Sequence, residues 1–194
     1  MKKNIKSFLQ DAIINLLSHK VSTHFPRAKK IDDCSGFFDS SVMEFAVAIG
    51  KPQKEWVEIF IHEYCHFNQW EEQCDVWTAE GDNILDEWLY NKKLKLTKKI
   101  GKKLRNTQAC ELDCEKRVIE TIKKYNLEID VDQYIRKANS YVYMYNMVIK
   151  EKMWYGDNPP YRVKGIMDIM PDHFDNDYTV MPEGYEALVR KYCA

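Results

Sequence analysis

His62-Glu63-Tyr64-Cys65-His66 carries the strongest chemical signal in the chain: two histidines four residues apart, with a glutamate directly after the first. On a helix four residues advance about 400°, so both imidazoles project from one side, a turn apart, and can chelate a single Zn²⁺ ion. Glu63 lies about 100° from His62, beside the metal rather than on it. A general base belongs there, because zinc lowers the pKa of a water it binds to about 7 and a neighbouring carboxylate can then take the proton. The pattern alone can arise by chance. Trp56, Val57, Phe60 and Ile61 precede it on a predicted helix, and in apolar surroundings so polar a triplet is costly without a cation.

A catalytic zinc usually has three protein ligands and one open position, and the motif supplies two. The extended pattern with a third histidine would need glycine at 69 and histidine at 72, where the chain has Gln69 and Glu72. A better source is the downstream run Ala109-Cys110-Glu111-Leu112-Asp113-Cys114-Glu115. Projected on a helix, Glu111 and Glu115 share a face with Leu104, Val118 and Ile122, so two carboxylates fall on an apolar stripe. Glu111 is expected to complete the zinc shell, and Glu115 to accept the N–H of a liganding histidine and fix its tautomer. The reverse assignment stays open, with Glu115 as ligand and Glu111 or Asp113 in support. So does a carboxylate simply paired with Arg117 or Arg105.

His62-Glu63-Tyr64-Cys65-His66 followed by a helix bearing Glu111-x-x-x-Glu115 resembles the gluzincin class of zinc metallopeptidases. The resemblance covers the two helices and extends to the preceding β-rich run, around a third of the chain. It implies a zincin-like fold, one zinc per chain held by His62, His66 and Glu111, and Glu63 as the base for peptide-bond hydrolysis. It also implies that a strand before the active-site helix edges the substrate cleft, a place that Val42–Ile49 would take. The acid four positions after the glutamate ligand is aspartate in most of the class and is Glu115 here. The interval from His66 to Glu111 is longer than in its shortest members.

The elements that must position these groups follow from periodicity. Ile5, Phe8, Leu9, Ala12, Ile13, Leu16 and Leu17 recur at three- and four-residue intervals and predict an amphipathic helix ending near Lys20. Asp39-Ser40-Ser41 is a turn signal, and Val42–Ile49 predicts a β-rich run within one or two small hairpins. Pro52 suits the first turn of a helix that runs to about Trp70 and bears the motif. Further helices are expected over 103–125, 131–154 and 182–192, with an ordered loop region over 155–181. The connection from Trp70 to Leu104 is the least legible stretch. The predicted fold is therefore α+β and mainly helical, with a small sheet or hairpin before the active-site helix, in one compact domain over 1–194.

Other polar groups carry weaker signals. Cys110 and Cys114 are four apart and could chelate a soft metal, but read as packed thiols, as does Cys65. His173 and Tyr178, in the C-terminal loop region, are candidate donors to the oxyanion of a tetrahedral intermediate, set against the plainer reading of ordinary loop side chains. Tyr134, Tyr141, Met144, Tyr145 and Val148 form a core stripe with phenol groups reaching polar partners.

The 29 basic and 30 acidic side chains nearly cancel, giving a net charge of -1, so no global field favours nucleic acid or membrane. Eight basic residues between Asn91 and Arg105 leave nucleic-acid contact through 92–105 as a local option, against the simpler reading of a solvated surface. Asn4, Lys6, Ser7, Gln10 and Asp11 interrupt any export signal, no apolar run could span a bilayer, and six cysteines without framework spacing are expected as reduced thiols. The expected setting is the cytoplasm, that of the host if the chain is viral. The expected function is zinc-dependent hydrolysis of a peptide or protein substrate. The rivals are a zinc hydrolase of another amide and a non-enzymatic zincin-fold binding module. Oligomeric state leaves no signal.

Overall fold

The computed structural model describes residues 2–31, 33–80 and 84–193. It is α+β and mainly helical, with one three-stranded sheet. The chain forms two compact units, one of residues 1–77 and 114–129, the other of residues 78–113 and 130–194.

The first unit opens with helix α1 (Lys3–Ser18), which buries Phe8, Leu9, Ala12 and Leu16. Leu17, expected on that face, is 56% exposed, because the apolar stripe is narrower than the spacing suggested. The helix ends two residues before Lys20, which adopts a left-handed conformation (φ 61°) and turns the chain into β1 (Ser22–His24). Strands β2 (Gly36–Asp39) and β3 (Glu44–Val47) form an antiparallel hairpin. The Asp39 carboxylate closes its turn by accepting from the Ser41 amide at 2.8 Å and the Ser41 hydroxyl at 2.6 Å. β1 pairs in parallel with β3, giving the order β1-β3-β2. The strand within Val42–Ile49 is therefore the central one and is paired on both sides, whereas the cleft-edge expectation required an edge. Val42 itself lies outside it and is exposed.

Helix α2 (Gln53–Glu72) starts after Pro52, which occupies the N-cap rather than the first turn, and stops at Gln73 in a left-handed conformation (φ 50°). Its apolar side packs on the sheet, with the Phe60 and Phe45 ring centroids 5.0 Å apart, and Phe8 of α1 meets Phe60 edge-on at 5.8 Å. The C-terminal part of α5 (Lys98–Lys124) closes this core with Cys114, Val118 and Ile122.

The poorly legible connection holds two short helices, α3 (Asp75–Glu80) and α4 (Leu85–Tyr90). α5 begins at Lys98, five residues before its expected start, because the Thr97 hydroxyl accepts from the Ile100 amide and caps it. In the second unit α6 (Val131–Glu151) is capped by Asp130, whose side chain accepts from the Gln133 amide. Its buried Val142, Tyr143, Tyr145, Met147 and Val148 pack with Trp88, Leu104, Tyr155, Ile166 and Tyr185. Residues 155–181 include a 3-10 turn (Pro160–Arg162) and helix α7 (Lys164–Met167). Asn139 of α6 ties down the segment that follows, its amide donating to the carbonyls of Pro171 (2.9 Å) and His173 (2.8 Å). The last helix, α8 (Tyr185–Tyr192), is fixed by the Tyr185 hydroxyl donating to the Ser140 carbonyl at 2.6 Å. No described helix is long and apolar enough to cross a membrane.

Candidate metal centre

Val57, Phe60, Ile61, Cys65 and Phe67 are buried along α2, which fixes the rotation of the helix and leaves His62 and His66 together on its half-buried side. Their rings meet nearly at right angles (84°), with centroids 4.8 Å apart and the two Nε2 atoms 3.2 Å apart. Two imidazoles bound tetrahedrally to zinc at about 2.0–2.1 Å would hold their nitrogens about 3.4 Å apart, so this approach suits a shared cation.

The opposite edge of each ring is held by a buried acceptor. His62 Nδ1 lies 3.3 Å from the Glu115 carboxylate, and His66 Nδ1 lies 2.8 Å from the side-chain oxygen of Gln69. Gln69 is fully buried and Glu115 is 5% exposed. Acceptors at Nδ1 place the proton there and turn the Nε2 lone pair of each neutral ring toward the other. Two lone pairs 3.2 Å apart repel unless a proton or a cation lies between them. Burial disfavours charge on His62, yet the Glu115 carboxylate outweighs it and holds the imidazole up to about 9.

Cys114 approaches the same ring. Its sulfur is 3.3 Å from the His62 carbonyl and 3.6 Å from His62 Nδ1. His62, His66 and Cys114 together offer ligand atoms within 4.8 Å of one another, a group that could hold a metal ion. Glu63 is half-buried beside them, against β2. Gly36 on that strand leaves the space: a Cβ there would come within 3.2 Å of Glu63 Cγ, 2.8 Å of Ile59 Cγ2 and 2.9 Å of the Ala46 carbonyl oxygen.

The first unit thus gathers His62, Glu63, His66 and Glu115, together with two groups that sequence reasoning did not place here. Gln69 had a signal, as a polar residue three positions from His66 on a helix side that otherwise buries apolar groups. Cys114 carried a soft-metal signal only as a pair with Cys110, and its adjacency to Glu115 is its link to this site. Arg117, weighed as a partner for the buried carboxylates, donates to Glu72 at 2.7 Å.

The remaining sequence candidates belong to the second unit. Glu111, half-buried, accepts from the Tyr145 hydroxyl at 3.3 Å, and the Tyr141 hydroxyl lies 3.3 Å from that of Tyr145. Burial and then the negative charge of Glu111 raise the Tyr141 phenol well above its ordinary pKa. His173 is 73% exposed beside Asp172. Tyr178 is buried; its hydroxyl donates to the Asn139 side chain and accepts from the Asp175 amide at 3.3 Å. That proton is engaged in holding the loop. Arg105 binds the amide oxygens of Gln108 (2.6 Å) and Asn146.

Comparison with family models, with curated proteins and with solved structures returned no match.

Proposed function

We propose that the chain is a zinc-dependent hydrolase of peptide bonds, working in the manner of the gluzincins that its motifs resemble, on a zincin-like arrangement of α2, α5 and the sheet. The observation that carries this reading is the pair of Nε2 atoms 3.2 Å apart, each on a ring whose outer nitrogen is held by a buried acceptor. His62 and His66 would hold one zinc ion per chain. Glu111, one turn before Glu115 on α5, is the preferred third ligand, since helical periodicity puts the two carboxylates on one face. Cys114 is the alternative, weakened by its sulfur lying at the Nδ1 edge of His62 and within hydrogen-bonding reach of the His62 carbonyl.

Bound there, zinc would polarise the scissile carbonyl and make a coordinated water acidic enough to lose its proton near neutral pH. Glu63 takes that proton and passes it to the leaving amine, which removes the need for a covalent intermediate. Glu115 and Gln69 keep the two rings in the liganding tautomer. β2 is the edge strand nearest Glu63, and its outer backbone groups suit pairing with an extended peptide. Hydrolysis is favoured over a purely binding or structural site because Glu63 is a base poised next to the ligands rather than among them. A non-peptide amide is the second reading of the same chemistry. His173 and Tyr178 are not assigned a step. Six free cysteines suit a reducing compartment such as the cytoplasm.

The purified protein should carry about one zinc per chain and cleave an unfolded protein in a reaction stopped by chelator and restored by zinc. Glu111→Ala and Cys114→Ser, each assayed for zinc, decide the third ligand, and a sulfur-to-metal charge-transfer band after cobalt substitution would award it to Cys114. Stoichiometric zinc in a His62→Ala, His66→Ala double variant would remove this site from the account.

A further inference from the structure

Seven lysines fall within the twelve residues from Lys92 to Lys103. Six of them, Lys92, Lys93, Lys95, Lys98, Lys99 and Lys102, are exposed, and none takes part in an ion pair among the described residues. α5 starts inside this run with no acid in its first turn, so the lysines repel one another and also the positive end of the helix.

The turn that displays them is built. The Asn91 side chain accepts from the Lys93 amide at 3.1 Å, and the Asn91 carbonyl accepts from the Leu94 amide at 3.0 Å. Lys152, in a left-handed conformation at the end of α6, reaches back to the carbonyls of Asn91 (2.8 Å) and Leu94 (2.7 Å) while lying 5.3 Å from the Trp88 ring centre. This eighth lysine holds the turn, while the six exposed ones have no ion-pair partner among the described residues. Tyr90, at the head of the turn, is 76% exposed.

We propose that residues 90–102 bind the sugar-phosphate backbone of single-stranded nucleic acid without regard to sequence, with Tyr90 as a stacking platform. Lysines are rotatable point charges suited to phosphates rather than to reading base edges. An exposed aromatic ring next to a basic track is the combination that captures unpaired bases. A membrane surface fits less well, because Tyr90 and Leu96 are the only large exposed apolar side chains of the stretch among the described residues. The proposal stands apart from the hydrolase reading and uses none of its residues.

The test is fluorescence anisotropy of a labelled thymidine 20-mer titrated with the full chain at several salt concentrations. Binding should weaken with salt by about 0.7 log units of affinity per log unit of salt for each phosphate neutralised. Lys92→Gln, Lys93→Gln, Lys95→Gln combined should flatten that slope by about 2. Lys6→Gln, Lys29→Gln, Lys30→Gln, an equal loss of charge elsewhere, should leave it unchanged. Tyr90→Ala should weaken binding roughly tenfold with the slope intact. Glu63→Gln should bind as the parent does, whatever becomes of hydrolysis. No binding at low salt, equal flattening by both triple variants, or capture of phosphatidylserine vesicles in place of the oligonucleotide would overturn the proposal.

Discussion

At the scale of single residues, His62 and His66 are each held at Nδ1 by a buried acceptor. The contact between Glu115 and His62 Nδ1 at 3.3 Å sets a tautomer and a charge. His62 is raised from an ordinary 6.5 to about 9, so in the metal-free protein its stabilising contribution is full below about pH 6.5 and fades as pH rises through about 9. A cation entering the pair must expel that proton. The affinity of the metal-free protein for zinc should therefore climb about tenfold per pH unit and level off near pH 9. Glu115→Gln should level off at lower pH and bind zinc roughly 10- to 100-fold more weakly on the plateau, as read by competition with a chromogenic chelator. An unchanged profile would mean that the carboxylate does not govern the ring. The pair of imidazoles was legible from a four-residue interval, and Glu115 from its place on an apolar stripe. Gln69 and Cys114 were not, because what matters in each is the direction of one polar atom, which spacing does not encode.

At the scale of elements, the three long helices were legible because each repeats a buried stripe over many turns, and the start of α5 moved to where the Thr97 hydroxyl caps it. β1 was not, since Ser22, Thr23 and His24 carry no alternating pattern and the strand exists through its pairing with β3. That pairing also makes β3 central and leaves β1 and β2 as the edges, and it is β2 whose Gly36 admits Glu63 and Ile59. Gly36→Ala would drive a methyl to 2.9 Å from the Ala46 carbonyl oxygen, a backbone atom with little room to yield. We expect a loss of about 1–3 kcal/mol in denaturant unfolding, together with lower hydrolytic rate because Glu63 is displaced. A variant as stable and active as the parent would show that the strand and helix are less tightly matched.

At the scale of the molecule, each of the two units has its own core, one around Phe8, Phe45 and Phe60 and the other around Trp88, Tyr143 and Tyr185. Composition announced enough apolar mass for such cores and a charge balance without a global field, but it says nothing of how contacts are partitioned. The atoms that could hold a metal, with Glu115 and Gln69 behind them, come from α2 and α5 far apart in sequence, so a metal bound there would be coupled to folding. At about a thousand times its Kd, zinc should stabilise the protein by about 4 kcal/mol, a rise in melting temperature on the order of 10 °C for a chain of this size. Chelator should reverse the rise, and His62→Ala should abolish it.

The central claim is that Glu63 is the base beside a metal held by its neighbours. Zinc content and cleavage of an unfolded protein, measured side by side in the parent and in Glu63→Gln, test it most directly. The account predicts equal zinc in both and a fall in cleavage of at least about a hundredfold in the variant. Cleavage at the parental rate by a variant that keeps its zinc would contradict it.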